Sequence, residues 1–220
     1  MRVLITGTDT GIGKTFITYN LAKALKKKGY NVGCYKPVET YVKDIPEDGS
    51  LLAKATDQSV DEVVPVRFSL PLAPYPATIE EKRDFSLDEL RTHFEGLAKK
   101  YEILLVEGAG GIAVPIKKNY TYANLAKDWN LKVFIVARAG LGTLNHTYLT
   151  WYYAKNNGLE VMGIVLNGST GKDISEKTNP LIIKEMTGIE PVVIPKVGDL
   201  ELPEEHKEKL LDYFLSGFRP

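Results

Sequence analysis

Short apolar runs alternate along the chain with longer segments in which apolar residues recur at helical spacing. The runs are rich in β-prone residues and apolar on both faces, which is typical of strands buried between two layers of helices. They occupy residues 2–6, 32–35, 103–106, 133–137, 161–166 and 192–194. The helical segments occupy residues 15–28, 86–100, 122–129, 145–157, 179–186 and 204–215. Strands that alternate with helices predict a three-layer α/β fold with a doubly wound, mostly parallel sheet.

Local signals define two helix ends and one irregular connection. Gly29 is placed to end the first helix. Ser86 and Glu89 form the capping-box pattern, which satisfies free backbone donors at a helix N-terminus. Residues 64–78 contain Pro65, Pro71, Pro74 and Pro76 and are predicted to be an extended surface loop rather than a helix. Because no internal repeat or low-complexity linker interrupts the chain, we expect one domain over residues 1–220.

Charge and cysteine content narrow the classes of protein. The 28 basic and 28 acidic residues give zero net charge, whereas broad binding to nucleic acid or to an anionic membrane needs a positive surface. The longest apolar runs are far shorter than the ~20 residues that cross a bilayer. Cys34 is the only cysteine, so no internal disulfide can form, and the first residues lack a signal-peptide pattern. We therefore expect a cytoplasmic protein that binds neither nucleic acid nor membranes.

A glycine-rich loop between the first strand and the first helix carries the strongest chemical signal. Residues 7–15 read Gly-Thr-Asp-Thr-Gly-Ile-Gly-Lys-Thr, which is close to the phosphate-binding pattern G-x-x-x-x-G-K-[ST], although Thr8 occupies the first glycine position. Small residues let backbone amides approach a phosphate, and the helix N-terminus adds partial positive charge. Lys14 is expected to reach the β- and γ-phosphates, and Thr15 to bind magnesium. The loop predicts a P-loop NTPase-like nucleotide site.

Two other interpretations of this loop are possible. It can be a glycine turn that only starts a helix, or part of a dinucleotide site, since glycine-rich turns also open those folds. The agreement of the lysine, the hydroxyl and the strand–loop–helix context argues against the first interpretation. The second is disfavoured because Lys14 and Thr15 follow the last glycine and no acidic residue ends the second strand.

Two acidic residues are candidate magnesium ligands. Glu107 follows the run at 103–106 directly, and ligands of open parallel sheets bind beyond the carboxyl ends of the strands. The glycine-rich residues 108–111 come next and allow the backbone to approach a ligand closely. The alternative for Glu107 is a solvated glutamate at a strand end. On spacing alone, Asp48 is equally a metal ligand or the cap of a helix.

Lys36 ends the second strand at the same predicted edge. A second lysine near the phosphate loop would stabilise the negative charge that develops during phosphoryl transfer. The alternative is an ordinary surface lysine. Thr40 lies four residues further on and can contribute a hydroxyl, but by itself it carries no functional signal.

Four motifs together resemble the dethiobiotin synthetase family. They are the loop at residues 7–15, Tyr35-Lys36-Pro37-Val38, Val106-Glu107-Gly108-Ala109-Gly110-Gly111, and Leu141-Gly142-Thr143-Leu144-Asn145-His146. Their order and spacing match the family over nearly the whole chain. The resemblance implies that 7,8-diaminopelargonic acid, carbon dioxide and ATP are converted to dethiobiotin with magnesium. It implies a substrate carbamate, then a carbamic–phosphoric anhydride, and finally ring closure by the second amine.

The resemblance also implies roles for individual residues. Lys36 and Lys14 are the implied catalytic residues. The implied magnesium ligands are Thr15, Asp48 and Glu107. The residues implied to contact the nucleotide are Thr8, Asp9, Thr10, Gly11, Ile12, Gly13, Lys14, Thr15, Phe16, Asp48, Glu107, Gly108, Ala109, Gly110, Asn167, Gly168, Pro195, Lys196 and Val197. Among them, Asn167 matches the position that binds adenine.

The same resemblance places the organic substrate. Thr40 is implied to bind it, and Leu144 and Asn145 are implied to bind its carboxylate tail across the interface of a homodimer. His146 is expected to be structural, because the implied reaction needs no histidine base. Gly11 replaces an acidic residue found in some members of the family, and Ala73-Pro74-Tyr75 stands where serine–proline–histidine is common.

Two other classes of protein share the phosphate loop. Amide-forming ligases of the cobyrinic-acid type carry a glutaminase domain with a nucleophilic cysteine, whereas Cys34 lies inside a predicted strand. Partition-type ATPases carry an additional lysine early in the loop, where this chain has Asp9 and Thr10. Some of them also have a C-terminal membrane helix, but the acidic residues within 204–215 disfavour binding to anionic lipid. Both classes remain alternatives at this point.

Overall fold

The predicted strands form one central sheet in the computed structural model, which describes residues 1–218. The strands are β1 (Arg2–Gly7), β2 (Val32–Tyr35), β3 (Val38–Glu39), β4 (Val66–Arg67), β5 (Ile103–Gly111), β6 (Pro115–Lys117), β7 (Tyr120–Thr121), β8 (Lys132–Arg138), β9 (Val161–Ser169) and β10 (Val192–Pro195). Six of them form the sheet in the order β10-β9-β8-β1-β5-β2, and all neighbouring pairs are parallel. Two small additional sheets pair β3 with β4 and β6 with β7. The predicted doubly wound parallel sheet is confirmed.

Helices cover both faces of the sheet. They are α1 (Lys14–Lys27), α2 (Glu47–Thr56), α3 (Val60–Val63), α4 (Pro74–Glu80), α5 (Leu87–Lys100), α6 (Tyr122–Asp128), α7 (Thr143–Asn156), α8 (Ser175–Thr187) and α9 (Glu204–Ser216). Val3 and Ile5 pack with the apolar residues of α1, α2, α3 and α9 on one face, while Leu4 packs with those of α5, α6, α7 and α8 on the other. This alternation explains why β1 is apolar throughout. Within residues 1–218, no helix is both long and apolar enough to cross a bilayer.

The predicted helix signals are confirmed in part. Gly29 follows the end of α1 with a φ of 96°, a left-handed conformation that favours glycine. The Ser86 hydroxyl accepts a hydrogen bond from the Glu89 N–H (3.2 Å), which is one half of the predicted capping box. Within residues 1–218, the other half of the box, a hydrogen bond from the Ser86 N–H to the side chain of Glu89, is absent. Ser86 therefore caps α5 by itself.

The proline-rich segment is more ordered than predicted. The expectation of an extended surface loop over residues 64–78 is wrong, because β4 and most of α4 lie within it. Pro74 and Pro76 occupy the first turn of α4, where a missing N–H removes no bond within the helix. Phe68 and Ala77 are buried, so part of the segment belongs to the core.

Other boundaries also differ from the prediction. Helices α2 and α3 were not predicted, α7 begins two residues earlier than expected, and α8 begins four residues earlier, at Ser175, with Pro180 inside it. Strand β5 continues to Gly111, so Glu107 lies within the strand rather than after its end. In the register of the sheet, Glu107 is opposite Ile5 of β1.

One edge of the sheet is covered by neighbouring polar groups. Strand β2 is the edge strand, and its Cys34 N–H donates to the side-chain oxygen of Gln58 (2.6 Å). Directly after the strand, the Lys36 N–H donates to the backbone oxygen of Val63 in α3 (2.8 Å). The edge is therefore paired with the connection from α2 and with α3, and Lys36 is held by its backbone at the end of β2.

Candidate active site

The carboxyl ends of three adjacent strands bring the main predicted residues together. Strand β5 lies between β1, which leads into the loop before α1, and β2, which leads to Lys36. These ends surround a cavity of about 620 Å³. The cavity is lined by Thr10, Gly11, Gly13, Lys14, Thr15, Lys36, Glu39, Thr40, Tyr41, Glu47, Asp48, Pro71, Leu72, Ala73, Ala109, Gly110 and Val114. Many of the predicted site residues therefore face one space.

The loop before α1 has the close backbone packing expected of a phosphate-binding loop. Gly13 has a φ of 91°, and a Cβ there would lie 2.2 Å from Nδ2 of Asn167. That amide donates to the backbone oxygen of Ile12 (2.9 Å), which ties the end of β9 to the loop. Lys14 Nζ lies over the loop and donates to the backbone oxygen of Asp9 (3.3 Å). Burial lowers the pKa of Lys14, although the Glu107 carboxylate acts against that effect.

A cluster of charges lies beneath the cavity, with Lys36 and Glu107 buried and Asp48 half-exposed. Glu107 has no exposed surface, and its Oε1 accepts hydrogen bonds from the Thr15 hydroxyl (2.7 Å) and from Lys36 Nζ (2.8 Å). Its Oε2 accepts one from the Thr18 hydroxyl (2.7 Å). Lys36 Nζ also lies 2.9 Å from Oδ2 of Asp48. Glu107 is thus neither solvated nor unpaired, and Lys36 is not a surface lysine.

The ion pairs of the cluster favour the charged forms of Lys36 and Asp48. Burial lowers the pKa of Lys36, but the Glu107 and Asp48 carboxylates outweigh it and hold that pKa above its ordinary value. Burial raises the pKa of Asp48, but Lys36 outweighs it and the pKa is lowered overall. Asp48 lies in the first turn of α2, whose N-cap position is Pro46, so Asp48 is not the N-cap residue.

The donor atoms fit a magnesium ion that also binds nucleotide phosphates. The two carboxylates meet at Lys36 Nζ, and the Thr15 hydroxyl lies against Oε1 of Glu107. All three groups are oxygen ligands of the kind that magnesium prefers. In the described part of the chain, no group of three or more His, Cys, Asp or Glu side chains can hold a metal ion. A site with two carboxylates and one hydroxyl is what magnesium needs when phosphate oxygens and water complete its shell.

Other predicted nucleotide residues lie beside the loop but outside the cavity lining. Asn167 and Gly168 are at the end of β9, and residues 195–197 are at the end of the neighbouring β10. The Lys196 N–H donates to the backbone oxygen of Ser169 (2.7 Å), which joins these two segments. Their role at the nucleotide base stays a prediction.

The predicted substrate residues fall into two groups. Thr40 lines the cavity. Leu144 and Asn145 lie in the first turn of α7, outside the cavity lining, and Asn145 is exposed. Within one copy of the chain, these two residues are therefore not brought together with Thr40.

Several residues of the site were missed by sequence reasoning. Thr18 follows Lys14 by one helical turn, a spacing that places it on the same face of α1 and can be found in the sequence. Glu39 carries no such signal, because its partners come from α2. Leu72 and Ala73 form an apolar wall that the irregular proline pattern concealed.

The fold is shared with distant solved structures. A chain of the "MinC:MinD cell division protein complex" of Aquifex aeolicus matches with a TM-score of 0.57 at 16% identity, covering 98% of this chain and 86% of that chain. The structure of the Aquifex aeolicus MinD cell division protein matches with a TM-score of 0.56 at 15% identity. At such identities the likeness concerns the fold alone. A family model described as an AAA domain matches residues 1–204.

The parallel sheet and its phosphate-binding loop define a protein of the P-loop NTPase-like class. The chain is 73% identical to the "ATP-dependent dethiobiotin synthetase BioD" of Aquifex aeolicus (strain VF5) over 220 residues, all of both chains. It is 42% identical to the BioD of Bacillus licheniformis over 208 residues, 92% of this chain and 88% of the relative. The chain belongs to the ATP-dependent dethiobiotin synthetase family. The predicted resemblance is thereby confirmed, and the two other classes considered above are not supported.

Proposed function

We propose that this site closes the ureido ring of dethiobiotin from 7,8-diaminopelargonic acid, carbon dioxide and ATP, within one ligase domain that spans residues 1–220. The membership of the family supports ATP-dependent dethiobiotin formation. The single observation that supports the assigned residues best is the charge cluster beside the phosphate loop, in which the buried Lys36 and Glu107 meet the half-exposed Asp48.

The phosphate loop is proposed to bind the triphosphate of ATP. Its backbone amides and the N-terminus of α1 face the cavity, and both favour an anion. Lys14 is largely buried and close to the loop backbone, so its ammonium is placed to contact phosphate oxygens. Thr15, Asp48 and Glu107 would hold magnesium, which neutralises charge on phosphate oxygens when it is bound.

Lys36 is proposed to act on the transferring phosphoryl group. The substrate carbamate is an anion and must approach an anionic γ-phosphate, so cations are needed where the two meet. Lys36 lies at the floor of the cavity and remains protonated because of its two carboxylate partners. It is therefore placed to stabilise the charge that spreads over the phosphoryl oxygens in the transition state.

The part of the cavity that is lined by Thr40 and by apolar residues is proposed to hold the organic substrate. Thr40 offers a hydroxyl for an amine or carbamate, while Leu72, Ala73 and Val114 supply apolar surface for the carbon chain. Thr40 and the phosphate loop line the same cavity, so an amine bound at Thr40 would share that space with the γ-phosphate. Ring closure then needs only the second amine of the same substrate, which attacks the carbamic–phosphoric anhydride and releases phosphate.

The nucleotide base is proposed to lie near Asn167. The side-chain amide of Asn167 donates to the loop, and its oxygen is left to accept from an exocyclic amine such as that of adenine. Residues 195–197 lie beside it and are proposed to flank the base. Cys34 is a free thiol buried within β2, which suits a reducing compartment such as the cytoplasm, where we propose that the reaction takes place.

A labelling experiment tests the proposed reaction. The protein is incubated with 7,8-diaminopelargonic acid, ATP, magnesium and ¹⁴C-bicarbonate, and the products are separated. We expect label in dethiobiotin, together with equal amounts of ADP and phosphate. A reaction without diaminopelargonic acid is the control for idle hydrolysis. ATP hydrolysis that leaves dethiobiotin unlabelled would contradict the proposal.

We also propose that two copies of the chain form the complete substrate site. Three large apolar residues on or beside α7 are exposed, namely Leu141 (81%), Leu149 (54%) and Tyr152 (49%). An apolar surface of this kind on one helix is typical of a contact between proteins. A second copy on this surface would bring its α7 residues toward a partner, which explains how Leu144 and Asn145 can serve a site that they do not line within one chain.

The Leu149→Asp variant tests this dimer. A buried charge at the interface is expected to give a monomer in sedimentation analysis and to raise KM for diaminopelargonic acid about tenfold, with KM for ATP little changed. Ile79→Asp is the matched control, because Ile79 is equally exposed (57%) but lies on α4. A Leu149→Asp protein that remains dimeric, or a monomer with the ordinary KM, would contradict the proposed interface.

A further inference from the structure

The N-terminus of α2 is capped from a distance. The residue at its N-cap position is Pro46, which makes no side-chain hydrogen bond to the helix. Instead, the carboxylate of Glu39 accepts from the first turn, with Oε1 3.1 Å from the Asp48 N and Oε2 2.8 Å from the Gly49 N. Free amides at a helix N-terminus favour such an anionic acceptor.

This contact is held by close packing on both sides. Only 5% of Glu39 is exposed, and its backbone oxygen accepts from the Phe68 N–H (2.9 Å), which fixes the strand that carries it. A Cβ at Gly49 would lie 3.1 Å from Oε2 of Glu39 and 2.1 Å from a methyl group of Val64. Glycine at position 49 therefore allows the helix end to approach the carboxylate.

The capped turn carries a residue of the charge cluster. The backbone N–H of Asp48 is bound to Glu39, while Oδ2 of the same residue lies 2.9 Å from Lys36 Nζ. Glu39 also precedes Thr40 directly. The segment that ends in Thr40 and the helix that begins before Asp48 are thus joined through one side chain.

We propose that Glu39 is a positioning residue that caps α2 and so holds Asp48 against Lys36 and at the magnesium site. Each of its oxygens is bound to a different backbone amide, and its contacts serve the orientation of Asp48. The part that concerns magnesium rests on the proposed function. The capping itself does not depend on it.

Hydrogen exchange of the protein without ligands tests the capping. In Glu39→Gln, one carboxylate oxygen is replaced by an NH2 group, so one of the two amides loses its acceptor while the shape of the side chain is kept. We expect amide exchange in the first turn of α2 to become about tenfold faster, in keeping with the loss of a helix cap, and faster still in Glu39→Ala. Exchange in β1 and β5 should match the parent protein, which shows that the fold is intact.

Magnesium dependence tests the positioning of Asp48. We expect the magnesium concentration that gives half-maximal ATP binding, measured by calorimetry, to rise about tenfold in Glu39→Gln. The same shift is expected for half-maximal turnover, with a smaller loss of kcat at saturating magnesium. Asp44→Asn is the matched control, because Asp44 is an exposed acidic residue near α2 that lies outside the cavity lining.

The results test the capping of α2 and the positioning of Asp48 separately. Unchanged exchange in the first turn of α2 of Glu39→Gln would overturn the capping. Faster exchange with an unchanged magnesium dependence would overturn the positioning role. A failure of the proposed function appears elsewhere, as a parent protein that does not label dethiobiotin, and leaves the exchange result standing.

Discussion

Replacing Lys36 with Met is expected to reduce turnover at saturating substrates by at least about a hundredfold, in line with the loss of one charge-stabilising donor in a transition state. The variant keeps the long side chain but removes the ammonium that lies between Glu107 and Asp48. It should also be less stable by about 3–5 kcal/mol, because breaking a buried ion pair leaves Glu107 charged and uncompensated. Steady-state kinetics and urea unfolding measure the two effects.

A double variant separates catalysis from stability. In Lys36→Met combined with Glu107→Gln, the uncompensated charge is gone, so most of the stability should return while turnover stays low. The side-chain oxygen of Gln at position 107 can still accept from one of the two hydroxyls of Thr15 and Thr18, and its NH2 group can donate to the oxygen of the other. Normal turnover in the single variant would show that Lys36 does not act on the reaction. An unaltered free energy of unfolding would show that the buried ion pair does not stabilise this region.

Replacing Gly13 with Ala is expected to weaken ATP binding about 30-fold, as judged by the Kd from calorimetry. Alanine at a φ of 91° costs about 1–2 kcal/mol. Its Cβ also displaces Asn167, whose hydrogen bond to Ile12 is worth about 1 kcal/mol. Without nucleotide the loop can relax, but binding requires the native shape, so both penalties appear in the Kd.

Gly29→Ala is the matched control for this prediction. Gly29 has a similar φ of 96°, and a Cβ there meets nothing within 4 Å. The control should lose about 1–2 kcal/mol of stability through backbone strain alone and bind ATP as the parent protein does. If Gly13→Ala bound ATP equally well, the close packing of the loop against Asn167 would have no part in nucleotide binding.

The sheet was predictable from sequence because its strands are buried on both faces. A continuous apolar run predicts a strand such as β8. The glycines after Glu107 interrupt the apolar pattern, so the continuation of β5 to Gly111 is not predicted. The sequence does not predict helix α2, because its first turn contains Gly49 and Ser50, which are poor helix formers. Its first turn is bound by Glu39, a contact that local sequence does not reveal. In α4, the proline pattern predicts a loop, whereas Pro74 and Pro76 fit the first turn of the helix.

Some residues of the candidate site can also be predicted from the sequence, and others cannot. Lys14 and Thr15 lie in the loop motif, and Lys36 and Glu107 follow directly on the apolar runs of β2 and β5. Their convergence follows from the parallel order of β1, β5 and β2. Asp48 is identified as a site residue only by the family resemblance, because its position depends on helix α2, which the pattern of apolar residues does not predict. The substrate tail contacts of α7 stay predictions, since they depend on a second copy of the chain.

The covered edge of β2 has a consequence for how copies of this protein meet. An open edge strand offers unpaired backbone groups to which another chain can add a strand, and this is a common route to aggregation. The chain has zero net charge, so long-range repulsion does little to keep copies apart. Gln58 and Val63 bind two backbone donors at this edge, of Cys34 and Lys36. Strand addition from another copy is thereby blocked at this edge, and the strand that leads into Lys36 is protected from strand exchange.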